Sequence, residues 1–299
     1  MKIVKVKGGL GNQMFQYAFH RLLQEKYHCE DVRLDLKYYG EAGVDDIRLS
    51  RLGRMHTRFQ AATDAELRKV CLFKHEGNPL SRGYRIKVGL DAKLNKKYFF
   101  ENNRAYRDVP GLLHYQYFDG YWQSWRYLEP IAGQLKQEFT CDTLSERTLE
   151  YRKRFGGMNS VFVGVRRGDY FDNEKLANHY GRTDVEYYKK AVAYMKKKLD
   201  NPVFVFFSND MPWVKEYLNG EVLGLQADSI IYREEQDITD DFEELFVMRS
   251  CRNAIVTNST FNFWGAWLME NPDKIVVTPK DWFKDGKPID IIPDDWVRI

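Results

Sequence analysis

Apolar and polar positions change rhythm several times along this chain, and each change marks an element. Ile3, Val4 and Val6 form a short apolar run that reads as a strand. Gly8, Gly9 and Gly11 follow at once as a turn, and Met14, Phe15, Tyr17, Ala18, Leu22 and Leu23 then recur at helical spacing. A second strand is expected at 31–36, followed by a charged irregular region. Residues 74–110, rich in Gly, Asn, Lys and Arg, read as loops with short strands. Residues 115–139 read as a strand or turn, then an amphipathic helix from near Ser124.

The rhythm is plainer after residue 158. Apolar runs at 160–165, 202–207, 229–232, 253–257 and 274–278 read as strands. Helical patterns at 186–199, 240–252 and 260–270 stand among them, and the run at 274–278 is taken as the last strand. Continuous apolar strands alternating with helices predict a parallel sheet covered on both faces. Two α/β domains are expected, 1–150 and 151–299, with the boundary near 145–158. Ligands of such sheets bind beyond the carboxyl ends of the strands. Three of those ends carry Arg166-Arg167-Gly168-Asp169, Ser208-Asn209-Asp210 and Asn258-Ser259-Thr260.

Composition narrows the classes. With 43% hydrophobic residues in 299, the chain can build a real core. A net charge of +3, with basic residues scattered, falls short of a nucleic-acid signature. The Lys196-Lys197-Lys198 run closes a predicted helix, where the macrodipole favours cations. Cys29, Cys71, Cys141 and Cys251 lie far apart with no CxxC spacing, and no metal-ligand spacing is present. Reduced cysteines, no long apolar span, and a core strand directly after Met1 give the expectation of a soluble, cytoplasmic chain.

The candidate chemistry sits in the turns. The first turn adds the amides of Asn12 and Gln13 to its glycines, but it is not a dinucleotide fingerprint, because Met14 stands where the third glycine belongs. Arg166 and Arg167 suit an anion, since the guanidinium fork binds phosphate bidentately; a structural ion pair with Asp169 is the alternative. Asp210 suits either the N1–H and N2–H of a guanine or the cap of a helix starting near Pro212, and both stay open. Asn258, Ser259 and Thr260 open a helix, where capping and phosphate binding are compatible. Two arginines and a helix start together suggest a diphosphate site in which arginines, rather than a metal, stabilise a departing diphosphate. That chemistry is sugar transfer from a nucleotide diphosphate.

Six ordered segments carry a resemblance. GGLGNQMFQYA (8–18), GYWQSWRY (120–127), VRRGDY (165–170), FFSNDMPWV (206–214), the stretch 240–268 ending NSTFNFWGAWL, and TPKDWF (278–283) resemble the motifs of the α-1,2-fucosyltransferases of glycosyltransferase family 11. The resemblance covers nearly the whole length. It implies a GT-B-like fold, two Rossmann-like domains facing an interdomain cleft, with an N-terminal acceptor-side domain and a C-terminal GDP-sugar-binding domain. It implies GDP-β-L-fucose as donor, no metal or other cofactor, and inversion to an α-1,2-fucoside on a terminal galactose. By the same resemblance Arg166 and Arg167 hold the diphosphate and Asn12 faces the fucose or the attacking hydroxyl. The candidate donor-binding set is Gly9, Gly11, Gln13, Ser208, Asp210, Asn258, Ser259 and Thr260. Asp169 is the nearest carboxylate for a base or for orienting the arginines, and Asp172 is a weaker candidate.

Two departures stand out. Gly164 occupies the position where the family's arginine motif usually has histidine, and Asn209 stands where an Asp-Asp pair is usual. Two alternatives remain open: a fucosyltransferase of another linkage such as α-1,6, and a GDP-sugar-binding protein without transferase activity. The expected partners are GDP-fucose and a galactose-terminated oligosaccharide, with a lipid-linked acceptor and peripheral membrane association both compatible, and no nucleic acid.

Overall fold

The computed structural model describes residues 1–40, 51–74, 81–102, 105–167, 184–234, 238, 240–283 and 289–299. The chain divides into two compact units, Met1–Cys141 with Pro288–Ile291 and Asp142–Lys287 with Ile292–Ile299. The division falls ahead of residue 150, so the helix at 146–156 lies wholly in the second unit. The return of a short C-terminal stretch to the first unit leaves no mark on the hydrophobic pattern.

The first unit runs β1 (Lys2–Lys5), α1 (Leu10–Glu25), β2 (Val32–Asp35), α2 (Asp64–Val70), α3 (Arg82–Leu94), β3 (Tyr98–Phe100), β4 (Tyr117–Asp119), α4 (Trp125–Leu128) and α5 (Ala132–Glu138). Among the described residues its strands pair in parallel in the order β2-β1-β4-β3. α1 is buried along most of its length, and its Phe19 ring stacks on Trp122 with centroids 3.7 Å apart and planes within 5°. Two helices were not expected: α2 stands in the charged irregular region and α3 where loops with short strands were read. α2 opens on a capping box, Thr63 with Glu66, and α3 is capped by Ser81. α3 buries only Val88 and Asp91, so it has no apolar stripe for a periodicity reading to find. The helix expected from Ser124 does start there, with Ser124 as its cap, but it is broken around Pro130 into α4, a 3-10 turn and α5.

The second unit runs α6 (Glu146–Gly156), β5 (Ser160–Val165), α7 (Val185–Lys198), β6 (Val203–Ser208), α8 (Met211–Tyr217), α9 (Gly220–Leu223), β7 (Ile230–Tyr232), α10 (Asp241–Met248), β8 (Asn253–Ile255), α11 (Thr260–Trp267), β9 (Val276–Thr278) and β10 (Val297–Arg298). Among the described residues the sheet has six parallel strands, in the order β10-β9-β8-β5-β6-β7. β9 is therefore not the last strand: β10, two residues long and too short to read from pattern, adds an edge beyond it. Val161, Val163 and Val165 share a core with Tyr188, Ala191, Val192 and Met195 of α7. On the other face, α11 approaches so closely that a Cβ at Gly265 would lie 3.1 Å from the Met248 Cβ and 3.5 Å from the Phe162 ring. Val165 pairs with Ser208 and Val163 with Ile255, which brings the three strand ends singled out above to neighbouring positions on one edge.

Candidate active site

The carboxyl edge of the second sheet is built around Arg167. Its Nε donates to the Asp210 carboxylate at 3.1 Å, and its guanidinium lies 3.8 Å from the centroid of the Trp213 ring. Its backbone N–H donates to Asn209 Oδ1 at 3.1 Å. Asp210 in turn caps α8, accepting from the Trp213 N–H at 3.2 Å, while its own N–H donates to Ser208 Oγ at 2.9 Å. The Ser208-Asn209-Asp210 turn is thus a shelf that fixes one arginine through a carboxylate, an amide and an indole face. Of the two roles weighed for Asp210, the cap is formed, and its other oxygen pairs with Arg167. Arg166 precedes it and is exposed. Asp169 and Asp172 lie outside the described residues.

The third strand end adds a helix start. Ser259 caps α11, accepting from the Asn262 N–H at 3.5 Å, and the Asn258 side chain donates to the Trp282 carbonyl at 3.3 Å. Thr257, Asn258 and Ser259 are buried, and Thr260 is half-buried. Of the two compatible roles weighed for this turn, the cap is formed.

In the first unit, the glycine turn is shaped by a left-handed Gly8 at φ +83° and by an α1 cap at Gly9 that has no side chain to satisfy the first N–H groups. Asn12 accepts from Gln123 Nε2 at 2.8 Å. Gln123 is aimed there by Trp122, which takes a left-handed backbone (φ +56°) and is wedged against Phe19. Gln13 is placed differently from its neighbour: it is 1% exposed, donates to the Gly8 carbonyl at 3.3 Å, and accepts from the Arg51 N–H at 2.9 Å. Its amide ties the Gly8 carbonyl of the turn to the backbone at Arg51. Gly9 is exposed and a Cβ on it would meet nothing within 4 Å, whereas Gly11 is buried.

Sequence reasoning missed a second group of residues on this sheet's carboxyl edge. Lys7, Tyr38, Phe100 and Tyr121, each at or just past the end of a different strand, line a cavity of about 500 Å³ with Asp119 and the Tyr84 face of α3. Asp119 is fully buried and accepts from Lys7 at 2.5 Å, Tyr98 at 2.7 Å and Lys5 at 3.3 Å. Burial works against its charge, but Lys5 and Lys7 outweigh this and hold the carboxyl well below the usual range. Glu101, which receives the N–H groups of Tyr121 and Trp122 at 2.6 and 3.2 Å, is pushed upward by desolvation. These residues share no local motif; only the strand topology gathers them. Among the described residues, no group of three or more His, Cys, Asp or Glu side chains is placed to hold a metal ion, and no helix is long and apolar enough to cross a membrane.

The edge of parallel strands, the pinned arginine and the capped helix start form one cluster of polar groups at the carboxyl edge of an α/β sheet. The model of glycosyl transferase family 11 matches residues 1–299, and the chain belongs to that family: it is a glycosyltransferase. Among curated relatives, an Escherichia coli α-1,2-colitosyltransferase is 29% identical over 304 residues, 99% of this chain and 98% of that protein. The Escherichia coli O-antigen biosynthesis glycosyltransferase WbnK is 27% identical over 313 residues, covering 98% of this chain and 99% of that protein. Human galactoside α-(1,2)-fucosyltransferase 1 is 28% identical over 190 residues, 59% of this chain and 50% of the human protein. Among solved structures, the fucosyltransferase NodZ from Bradyrhizobium superposes with a TM-score of 0.46 and 12% identity, over 88% of this chain and 90% of that one.

Proposed function

We propose that this glycosyltransferase moves L-fucose from GDP-β-L-fucose to the 2-hydroxyl of a terminal galactose, with inversion and without a metal. The observation that carries the donor side is the pair Arg166-Arg167 at the end of β5, one of them pinned, beside the capped start of α11. A departing GDP gains charge as the C1–O bond of the sugar lengthens. Fixed guanidinium groups bind that charge more tightly than they bind the ground state, which lowers the barrier. The acceptor hydroxyl attacks the opposite face of an oxocarbenium-like sugar, and its proton leaves to base or water. Ser259 and Thr260 would add contacts to the phosphates from the helix start.

On the acceptor side, the cavity in the first unit has the make-up of a sugar subsite. Tyr38, Tyr84, Phe100 and Tyr121 offer ring faces to the C–H side of a pyranose, and Lys7, held by the buried Asp119, offers a polar group to its hydroxyls. Asn12, held by Gln123, would meet the reacting hydroxyl or the fucose; Gln13 serves by bracing the turn.

The name of the Escherichia coli α-1,2-colitosyltransferase favours a second reading of the donor: colitose, the 3-deoxy counterpart of fucose. Turnover with GDP-fucose and GDP-colitose in parallel, followed by linkage analysis of the product on a β-galactoside, separates these readings. An α-1,2 product from GDP-fucose supports the proposal. An α-1,6 product, or turnover of GDP-colitose alone, would overturn it.

A further inference from the structure

Gly164 lies on β5 at the donor edge, two residues before Arg166, and the proposed function gives it no role. A Cβ built on it would lie 2.6 Å from the Asn262 Cγ and 3.1 Å from Oδ1, and closer still to Nδ2. The amide of Asn262 therefore fills the volume that a side chain at 164 would need. The arrangement follows from the packing of α11: Gly265, one turn further along, lets the helix come down on β5, and Asn262 is carried over the strand two residues before Arg166.

Asn262 is 5% exposed, a level at which a primary amide is costly unless its hydrogen-bonding groups are used. Its Nδ2 donates to Thr257 Oγ1 at 3.0 Å. Among the described residues no group donates to its Oδ1. One end of the amide is anchored to the scaffold and the other is an acceptor with a vacancy, at the edge where the nucleotide is proposed to sit.

We propose that Asn262 is a nucleotide-contacting residue whose Oδ1 accepts a hydrogen bond from the nucleoside part of the donor, and that Gly164 is glycine so that this amide can occupy the strand's side-chain position. The chemistry selects the nucleoside over the diphosphate. An acceptor oxygen gains nothing from phosphate, which has no hydrogen to offer, whereas ribose hydroxyls and guanine N–H groups donate. The diphosphate falls to the arginines and the helix start. This rests on the GDP-sugar reading above, and it relocates to α11 a polar group that the resemblance expects on β5.

The test is calorimetric titration of the full chain with GDP and, separately, with inorganic pyrophosphate. Asn262→Ala is expected to weaken GDP by about tenfold, the effect of one lost hydrogen bond, while leaving pyrophosphate affinity unchanged. Gly164→Asn combined with Asn262→Ala returns an amide to the same volume from the strand and is expected to recover most of the GDP affinity. Gly164→Ala alone is expected to lower the unfolding midpoint, and adding Asn262→Ala to relieve that loss. GDP affinity in Asn262→Ala equal to that of the parent overturns the proposal, as does an equal loss for pyrophosphate. A parent chain that binds no GDP at all would sink the donor reading and this inference together, before any variant is compared.

Discussion

Arg167 is held in place before any ligand arrives, and that separates it from an ordinary surface arginine. Its carboxylate and indole partners take up rotamer freedom that a flexible side chain would otherwise lose on binding phosphate. Lysine has neither the fork nor the flat face, so Arg167→Lys is expected to behave almost as Arg167→Ala. Both are predicted to lower kcat by about a hundredfold or more while costing less than about 1 kcal/mol of stability. Steady-state kinetics beside denaturant melts check this, and near-normal turnover in Arg167→Lys would remove the planar group from the account. A different residue governs acid stability. His20 is fully buried; its Nε2–H donates to the Val32 carbonyl, and among the described residues its Nδ1 has no partner. Burial, helped by Arg21, pushes its pKa down to about 4, below the value of an unfolded chain. The folded state therefore binds fewer protons. The neutral ring's contribution is complete above the unfolded value near 6.5 and is lost as pH falls toward 4, on the order of 3 kcal/mol in all. Melts of wild type and His20→Gln from pH 7.5 to 4.5 should converge on acidification; parallel curves would contradict the assignment.

At the scale of elements, the glycine turn before α1 divides its work between neighbouring positions. Gly8 needs its left-handed backbone, and a Cβ there would come within 2.6 Å of Asn12 Nδ2; at Gly9 a Cβ points into open space. Gly8→Ala is predicted to lose about 1–2 kcal/mol of stability as well as activity. Gly9→Ala is predicted to keep the stability and to lose activity alone, because the added methyl stands where a ligand approaches the uncapped helix. Chemical denaturation and turnover measured on both variants test the split.

The same scale shows what the chain's pattern discloses. Val161–Val165 and Phe204–Phe207 were legible because strands buried on both faces are apolar at every position, and Ser124 was legible as a helix start because a cap acts locally. α3 was not, since a helix that buries only Val88 and Asp91 leaves no periodic signal. Within the site, Arg166-Arg167 and Ser259 announce themselves in short motifs at strand ends. Gln123 on Asn12, Lys7 on Asp119 and Asn262 over Gly164 join residues 98 or more positions apart, and pairings of that kind are decided by topology.

For the whole molecule, the proposed function divides the labour between the two units: nucleotide-sugar on the second, acceptor on the first. Variants should then sort by unit. Tyr121→Ala, which removes an exposed ring from the first unit's cavity, is predicted to raise the acceptor KM about tenfold with GDP affinity unchanged. Arg166→Ala should do the reverse. A Tyr121 variant with weakened GDP binding and an unaltered acceptor KM would break the division.

The measurement that bears most directly on the central claim is release of GDP from GDP-fucose with EDTA present, with and without a β-galactoside such as lactose or galactose-β-1,3-N-acetylhexosamine. A metal-independent inverting fucosyltransferase predicts release that depends on the galactoside and is insensitive to the chelator. Release abolished by EDTA and restored by a divalent cation would contradict the arginine-based mechanism, and GDP binding with no release for any acceptor would contradict fucosyl transfer itself.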